Sequence, residues 1–200
     1  MAIATTTAER LHLAVIVGST RGGRFAPTVA SWFADLARQR DDVTVDVVDL
    51  VETPLPAALP GFEGPSPEDA ALFAAVTPRL AAADAFVVVT PEYNHSFPAP
   101  LKNLIDAHFG EWRAKPVGFV SYGGLSGGLR AVEALRVVFA ELHAVTVRDT
   151  VSFHGAAAVF DGPAPRDAAG AGAAAKTLLD QVVWWGRALR DAKAVRPYGS

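Results

Sequence analysis

The sequence contains no cysteine, which excludes disulfides, thiol nucleophiles and thiolate-held zinc or iron–sulfur centres and makes a reducing cytoplasm the expected compartment. Its histidines, His12, His95, His108, His143 and His154, are scattered singly without metal-ligand spacing, so no metal site is expected. No apolar run reaches the roughly 20 residues of a membrane span, and the opening MAIATTTAER lacks a signal peptide's apolar stretch. A polybasic arm is also absent and the net charge is only -3, so neither nucleic acid nor a membrane surface is an expected partner. One further absence is local. Between Leu11 and Ala34 there is no carboxylate, although Arg21 and Arg24 lie in that stretch.

What is present is a chain of 200 residues, half of them hydrophobic, with enough length for one domain with a full core. We assign residues 1–10 to a mobile N-terminal tail, 11–192 to a single domain and 193–200 to a C-terminal tail. Short apolar runs at 11–17, 43–49, 85–90, 116–121 and 144–151 read as strands. They alternate with segments of helical period at 26–39, 67–82, 98–109, 128–141 and 168–191, the pattern of a parallel sheet covered on both faces. VTVDVV alternates where LAVIV and FVVV are continuously apolar, so the second strand is the expected edge. The proline-rich stretch Thr53 to Pro67 is a loop, and the alanine-rich run Ala168 to Lys176 predicts a late or frayed start to the last helix. Leu178, Val182, Trp185 and Leu189 share a face of that helix, which suits packing on the sheet; a ligand-facing aromatic box is the alternative.

For five strands joined by right-handed crossovers, the commonest doubly wound order is 2-1-3-4-5, with ligands bound beyond the carboxyl ends of the strands where strands 1 and 3 diverge. The loops after strands 1, 3 and 4 are GSTRGGRF, PEYNHSFP and YGGLSGG, and one site built from all three is the economical reading. The first suits an anion: glycines admit close backbone approach, Ser19 and Thr20 supply hydroxyls, Arg21 and Arg24 supply charge, and a helix N-terminus follows. A solvated turn with surface arginines is the plainer account. No G-x-G-x-x-G follows the first strand and no Lys-Ser/Thr pair completes a Walker loop there, so a terminal monophosphate fits better than a pyrophosphate or triphosphate. In the second loop Tyr93 and Asn94 suit a flat heterocycle, or else form a turn with Tyr93 half-buried.

Gly124 to Gly128 also matches the G-x-S-x-G elbow of serine hydrolases, with Asp149 and His154 following in the required order. Against that reading, Ser126 stands about five residues beyond the apolar run and no HGGG-type oxyanion segment precedes it.

VIVGSTRGGRFAPTVASWF, PEYNHSFPAPLKNLIDAH and KPVGFVSYGGLSGGLRA together resemble the NADPH-dependent FMN reductases, the flavodoxin-like group of quinone, azo-dye and chromate reductases. The resemblance spans about residues 11–150 and implies a flavodoxin-like α/β fold with helices on both faces of the sheet. It implies that Ser19, Thr20, Arg21, Phe25 and Ala26 hold the FMN phosphate, that Pro91, Glu92, Tyr93 and Asn94 edge the isoalloxazine, and that Ser121, Tyr122, Gly123 and Gly124 flank it. Many members carry a second serine after the arginine where this chain has Arg24 and Phe25, so the Arg24 guanidinium is the expected substitute donor.

The resemblance further implies a homodimer or homotetramer, with Leu101, Lys102, Asn103 and Asp106 at or near the contact; an i,i+4 surface pair accounts equally for Lys102 and Asp106. The implied reaction passes hydride from NADPH, or NADH, to bound FMN and then electrons to a quinone, azo or nitro aromatic, metal oxyanion or flavin, with no side chain as nucleophile or base. A flavodoxin-type electron carrier without catalysis is the other redox reading, and Ser126 hydrolysis the non-redox one.

Overall fold

The structure is a computed structural model that describes residues 10–61 and 63–199; apart from Arg10, the expected N-terminal tail lies outside the described residues. Five parallel strands, β1 (Leu11–Val17), β2 (Val43–Asp49), β3 (Ala85–Pro91), β4 (Pro116–Gly123) and β5 (Val145–His154), form one sheet in the order β2-β1-β3-β4-β5. The order matches the sequence expectation, and β2 is an edge. Its alternation has a direct use: Asp46 points outward and takes two hydrogen bonds from Arg79, at 2.8 and 2.5 Å.

Helices α1 (Ala26–Arg38) and α5 (Ala168–Val195) cover one face of the sheet, burying Val29, Phe33, Leu178 and Val182 against Val15 and Val87. Helices α2 (Pro67–Ala82), α3 (Ala99–Asp106) and α4 (Leu129–Glu141) cover the other, where Leu80, Leu104 and Phe139 meet Ile16, Val88 and Phe119. Each such fully buried side chain contributes roughly 1.5–3 kcal/mol by leaving water. That explains why β1, β3 and β4, covered on both sides, read as unbroken apolar runs.

Two features differ from expectation. Helix α5 starts sharply at Ala168, because Asp167 accepts a 2.9 Å hydrogen bond from the Gly170 amide and alanine favours the helix. It then runs to Val195, and its buried face is Leu178, Leu179, Val182, Val183 and Gly186 rather than one through Trp185, which is exposed. Glycine sets that rotation. A Cβ on Gly186 would lie 2.7 Å from Leu11 and one on Gly118 of β4 would lie 2.8 Å from Leu178, so the helix rests directly on the sheet at both places. Between β5 and α5 the chain also forms a 3-10 turn (Ala156–Val159) and a small antiparallel hairpin, β6 (Phe160–Asp161) with β7 (Ala164–Pro165), too short to leave a periodic signal.

Candidate active site

The glycine loop leaves β1 at Gly18, whose amide donates to the Val89 carbonyl at 2.9 Å and so fixes the loop against β3. Ser19 is fully buried, with its hydroxyl 2.8 Å from the Tyr93 phenol. Thr20, Arg21, Gly22 and Gly23 are exposed, and the Arg21 side chain has no partner among the described residues. Phe25 precedes α1, Ala26 opens it, and that helix start has neither a side-chain cap nor an acidic residue in its first turn. Free backbone donors and the helix dipole therefore lie a few residues along the chain from an uncommitted arginine.

Arg24, expected as a further anion donor, is placed differently. Its terminal nitrogens donate to both carboxylate oxygens of Asp49, at 2.6 and 2.7 Å, and to the Ser19 carbonyl at 2.8 Å. Donating to the Asp49 carboxylate raises its already high pKa further. Arg24 thus braces the loop from within, and Asp49, the last residue of β2, supplies the charge that the acid-free stretch omits.

In the second loop Pro91 is buried at the end of β3, in register with Tyr122. Tyr93 and Ser96 exchange backbone hydrogen bonds of 2.8 and 3.0 Å around Asn94 (φ 48°) and His95 (φ 72°). Two successive left-handed residues make this a type I′-like turn, which presents Asn94 and His95 to solvent at its tip. Glu92 points the other way. It accepts hydrogen bonds from the Ser126 hydroxyl, the Arg130 amide at 3.2 Å and the Arg130 guanidinium at 3.1 Å. Burial pushes its pKa up, but these donors outweigh it and hold the carboxyl below its ordinary value.

The third loop is secured from beneath. The Gly127 carbonyl accepts from both Ser121, at 2.8 Å, and Ser152, at 2.9 Å. His154 donates from Nδ1 to the Leu125 carbonyl at 3.0 Å, and the Gly155 amide donates to Gly124 at 3.0 Å. Gly127 (φ 62°) and Gly128 (φ 89°) must be glycine, since a Cβ on them would lie 2.4 Å from the Ser152 hydroxyl and 2.6 Å from Ser121. Tyr122 is buried edge-on to Phe25, 6.0 Å between ring centroids, and burial raises its phenol pKa well above the ordinary value. Gly123 is half-buried, while Gly124 is exposed with open space where a Cβ would project.

All three loops thus join at one end of the sheet: Ser19 to Tyr93, the Glu92 amide to the Tyr122 carbonyl at 3.3 Å, and the Glu92 carboxylate to Ser126 and Arg130. The serine-hydrolase alternative is not assembled. Ser126 donates to Glu92, His154 is held by Leu125, and Asp149 pairs with Arg148 at 2.7 Å and with Gln181. Lys102 and Asp106 form the i,i+4 pair at 2.7 Å, and Asn103 donates to the Pro56 carbonyl at 2.7 Å, tying the proline-rich loop to α3. Sequence reading missed Asp49, Ser152 and the loop-holding role of His154. Only Asp49 carried a signal, as an acid at a strand end beside an arginine loop that needs a counter-charge.

Residues 11–158 match the profile of the NADPH-dependent FMN reductases, covering all three loops. The chain is 38% identical over 120 residues to an NAD(P)H-dependent FMN reductase of Schizosaccharomyces pombe, an alignment spanning 57% of this chain and 58% of that protein. It is 35% identical over 135 residues to a 2-hydroxy-1,4-benzoquinone reductase of a Burkholderia species, spanning 66% of this chain and 67% of that one. A flavoenzyme NAD(P)H:(acceptor) oxidoreductase from Paracoccus denitrificans shares the fold, with TM-score 0.69 at 23% identity over 89% of this chain and 98% of that one. With the profile match covering most of the sequence and every loop of the site, the chain belongs to the NADPH-dependent FMN reductase family.

Proposed function

We propose that the protein is an FMN-dependent NAD(P)H oxidoreductase that reduces a small acceptor such as a quinone, an azo or nitro aromatic, a metal oxyanion or free flavin. The observation that carries this reading is the meeting of an uncapped, acid-free helix start and the free Arg21 with the turn at Tyr93 to Ser96 and the glycine-rich third loop at one end of the sheet. A mononucleotide has the matching chemistry, a dianionic phosphate at one end and a flat polar ring at the other. When bound, FMN would supply the redox chemistry, accepting hydride from NADPH and releasing electrons to the acceptor in a ping-pong sequence.

The chain's own residues bind and orient. Thr20, Arg21 and the backbone amides of Gly22, Gly23, Phe25 and Ala26 hold the phosphate, while Arg24, its amide on the Arg21 carbonyl at 3.2 Å, and Asp49 keep that loop in shape. Ser19, its hydroxyl joined to Tyr93, couples the phosphate end to the turn carrying Asn94, which edges the ring with Pro91 and Glu92. Backbone donors at Gly123 and Gly124 offset negative charge gathering on the ring from the opposite side, with Ser121 and Tyr122 beneath them. Glu92 spans the two ring-side loops through Ser126 and Arg130 rather than moving a proton. A homodimer or homotetramer and a cytoplasmic location belong to the same proposal. No helix among the described residues is long and apolar enough to cross a membrane.

The deciding experiment is a visible-absorption and fluorescence titration of the purified protein with FMN, followed by NADPH oxidation with 1,4-benzoquinone as acceptor. Saturable FMN binding with acceptor-dependent NADPH oxidation is expected. Absence of any flavin binding refutes the proposal, and tight binding with only very slow NADPH oxidation favours an electron carrier.

A further inference from the structure

Beside the candidate active site, a cavity of about 460 Å³ opens between the end of β5, the β6–β7 hairpin and the first turns of α5. None of its lining residues comes from the three loops described above. One wall is apolar, built from Phe153, Val159 and the small faces of Ala171 and Ala174. The rim carries His154 and Arg166, with Asp167 as the single acid in the lining.

The two rim charges of α5's approach are unequally available. Asp167 is turned onto its own helix, accepting the Gly170 amide at 2.9 Å. Arg166 is anchored from the inside: Nε donates to the Ala158 carbonyl at 3.1 Å and its backbone amide to Val159 at 2.8 Å. Its two terminal nitrogens have no partner among the described residues, which leaves a fixed guanidinium fork of the shape that grips a carboxylate. The N-terminal dipole of a 28-residue helix adds positive potential at the same rim.

We propose that this cavity is a second small-molecule site, selective for a planar aromatic carboxylate. The ring lies against the Phe153 and Ala174 wall and the carboxylate meets Arg166. Its volume suits one or two fused rings. The site also touches the active-site loops indirectly, because Ser152 and His154 line it and hold the Gly127 and Leu125 carbonyls. A ligand seated there is therefore one hydrogen bond removed from the loop that flanks the proposed flavin ring. The inference goes beyond the flavin reading, and its first test uses the flavin-free protein.

The probe is 2-naphthoate, with neutral 2-naphthamide as control, titrated into the full chain free of FMN by calorimetry and ligand-observed NMR. One-to-one naphthoate binding is expected, weakened about tenfold by Arg166→Gln and about tenfold in the amide, the scale of one lost charge-assisted contact. Ala174→Phe, which fills the cavity, should abolish binding. Arg166 is exposed, so Arg166→Gln keeps the test decisive if the filled variant misfolds. Saturating FMN should leave naphthoate bound. No binding, equal affinity in Arg166→Gln, or displacement of naphthoate by one equivalent of FMN would each overturn the second site; the first two leave the flavin reading untouched, and the third would itself show that FMN binds.

Discussion

Arg24 and Asp49 meet end to end, the two terminal nitrogens of one donating to the two carboxylate oxygens of the other at 2.6 and 2.7 Å. Both side chains are mostly shielded, with 15% and 14% of their surface exposed, so the pair counts for more than a surface ion pair. Asp49 also accepts the Val51 amide and, through its carbonyl, the Thr53 hydroxyl, so one residue ties the loops after β1 and β2 together. Removing either partner strands the other. Arg24→Ala and Asp49→Asn should each cost about 2 kcal/mol of stability, with the double variant costing much less than the sum, as denaturant melts of the flavin-free protein will show.

Arg21 should behave in the opposite way. It is exposed and its side chain has no hydrogen-bond or ion-pair partner among the described residues, so Arg21→Ala should leave the melting curve unchanged. Its cost should fall on FMN affinity, about tenfold for one charge-assisted contact to phosphate. A fluorescence titration separates the two arginines: equal stability losses in both variants, or unchanged FMN affinity in Arg21→Ala, would reverse the assignment.

The contrast between these arginines marks the limit of what sequence conveys. Apolar runs report burial, and because β1, β3 and β4 are covered on both faces, strand positions, sheet order and the three converging loops were all legible. Side-chain partners were not, because pairing depends on where distant segments end. Asp49 lies 25 positions from Arg24, and Ser152 lies 25 from the Gly127 carbonyl it holds. The hairpin at Phe160 to Pro165 was invisible for a different reason: two-residue strands have no period.

The turn of the second loop holds two non-glycine residues at positive φ, Asn94 at 48° and His95 at 72°. Asparagine tolerates this region, and histidine does so less readily than glycine. Asn94→Ala should therefore destabilise by about 1 kcal/mol and His95→Gly should be neutral or stabilising. Because the turn carries the Tyr93 link to Ser19, Asn94→Ala should weaken FMN binding as well, while loss of stability without loss of affinity would remove the turn from the site.

Lys115 lies at the far end of the sheet, its ammonium donating at 3.0 Å to the Leu80 and Ala81 carbonyls at the end of α2. Burial, then the nearby charge of Lys193, lowers its pKa to about 8. In the unfolded chain a lysine keeps its proton to about pH 10.4. Between those values the unfolded state binds more protons, so this group makes stability rise with pH. Lys115→Met should remove that rise, which is measured as the wild-type minus variant stability at pH 7.5 and again at pH 9.5; a difference that does not change with pH would contradict it.

Glu92 provides the acid counterpart. Burial alone would raise its pKa, yet donation from Ser126 and Arg130 lowers it below the ordinary value. An unfolded glutamate takes up its proton near pH ~4.3, whereas the folded one does so only at lower pH. Its stabilisation is therefore complete above about pH 4.3 and is lost as pH falls through the folded value. Glu92→Gln should be less stable than the wild type at pH 7, with the gap closing below about pH 4 in acid-unfolding curves. The same carboxylate is the link between the second and third loops, so at pH 7 the variant should also bind FMN more weakly. A stability gap that persisted unchanged to pH 3 would mean that Glu92 acts through shape and not through its charge.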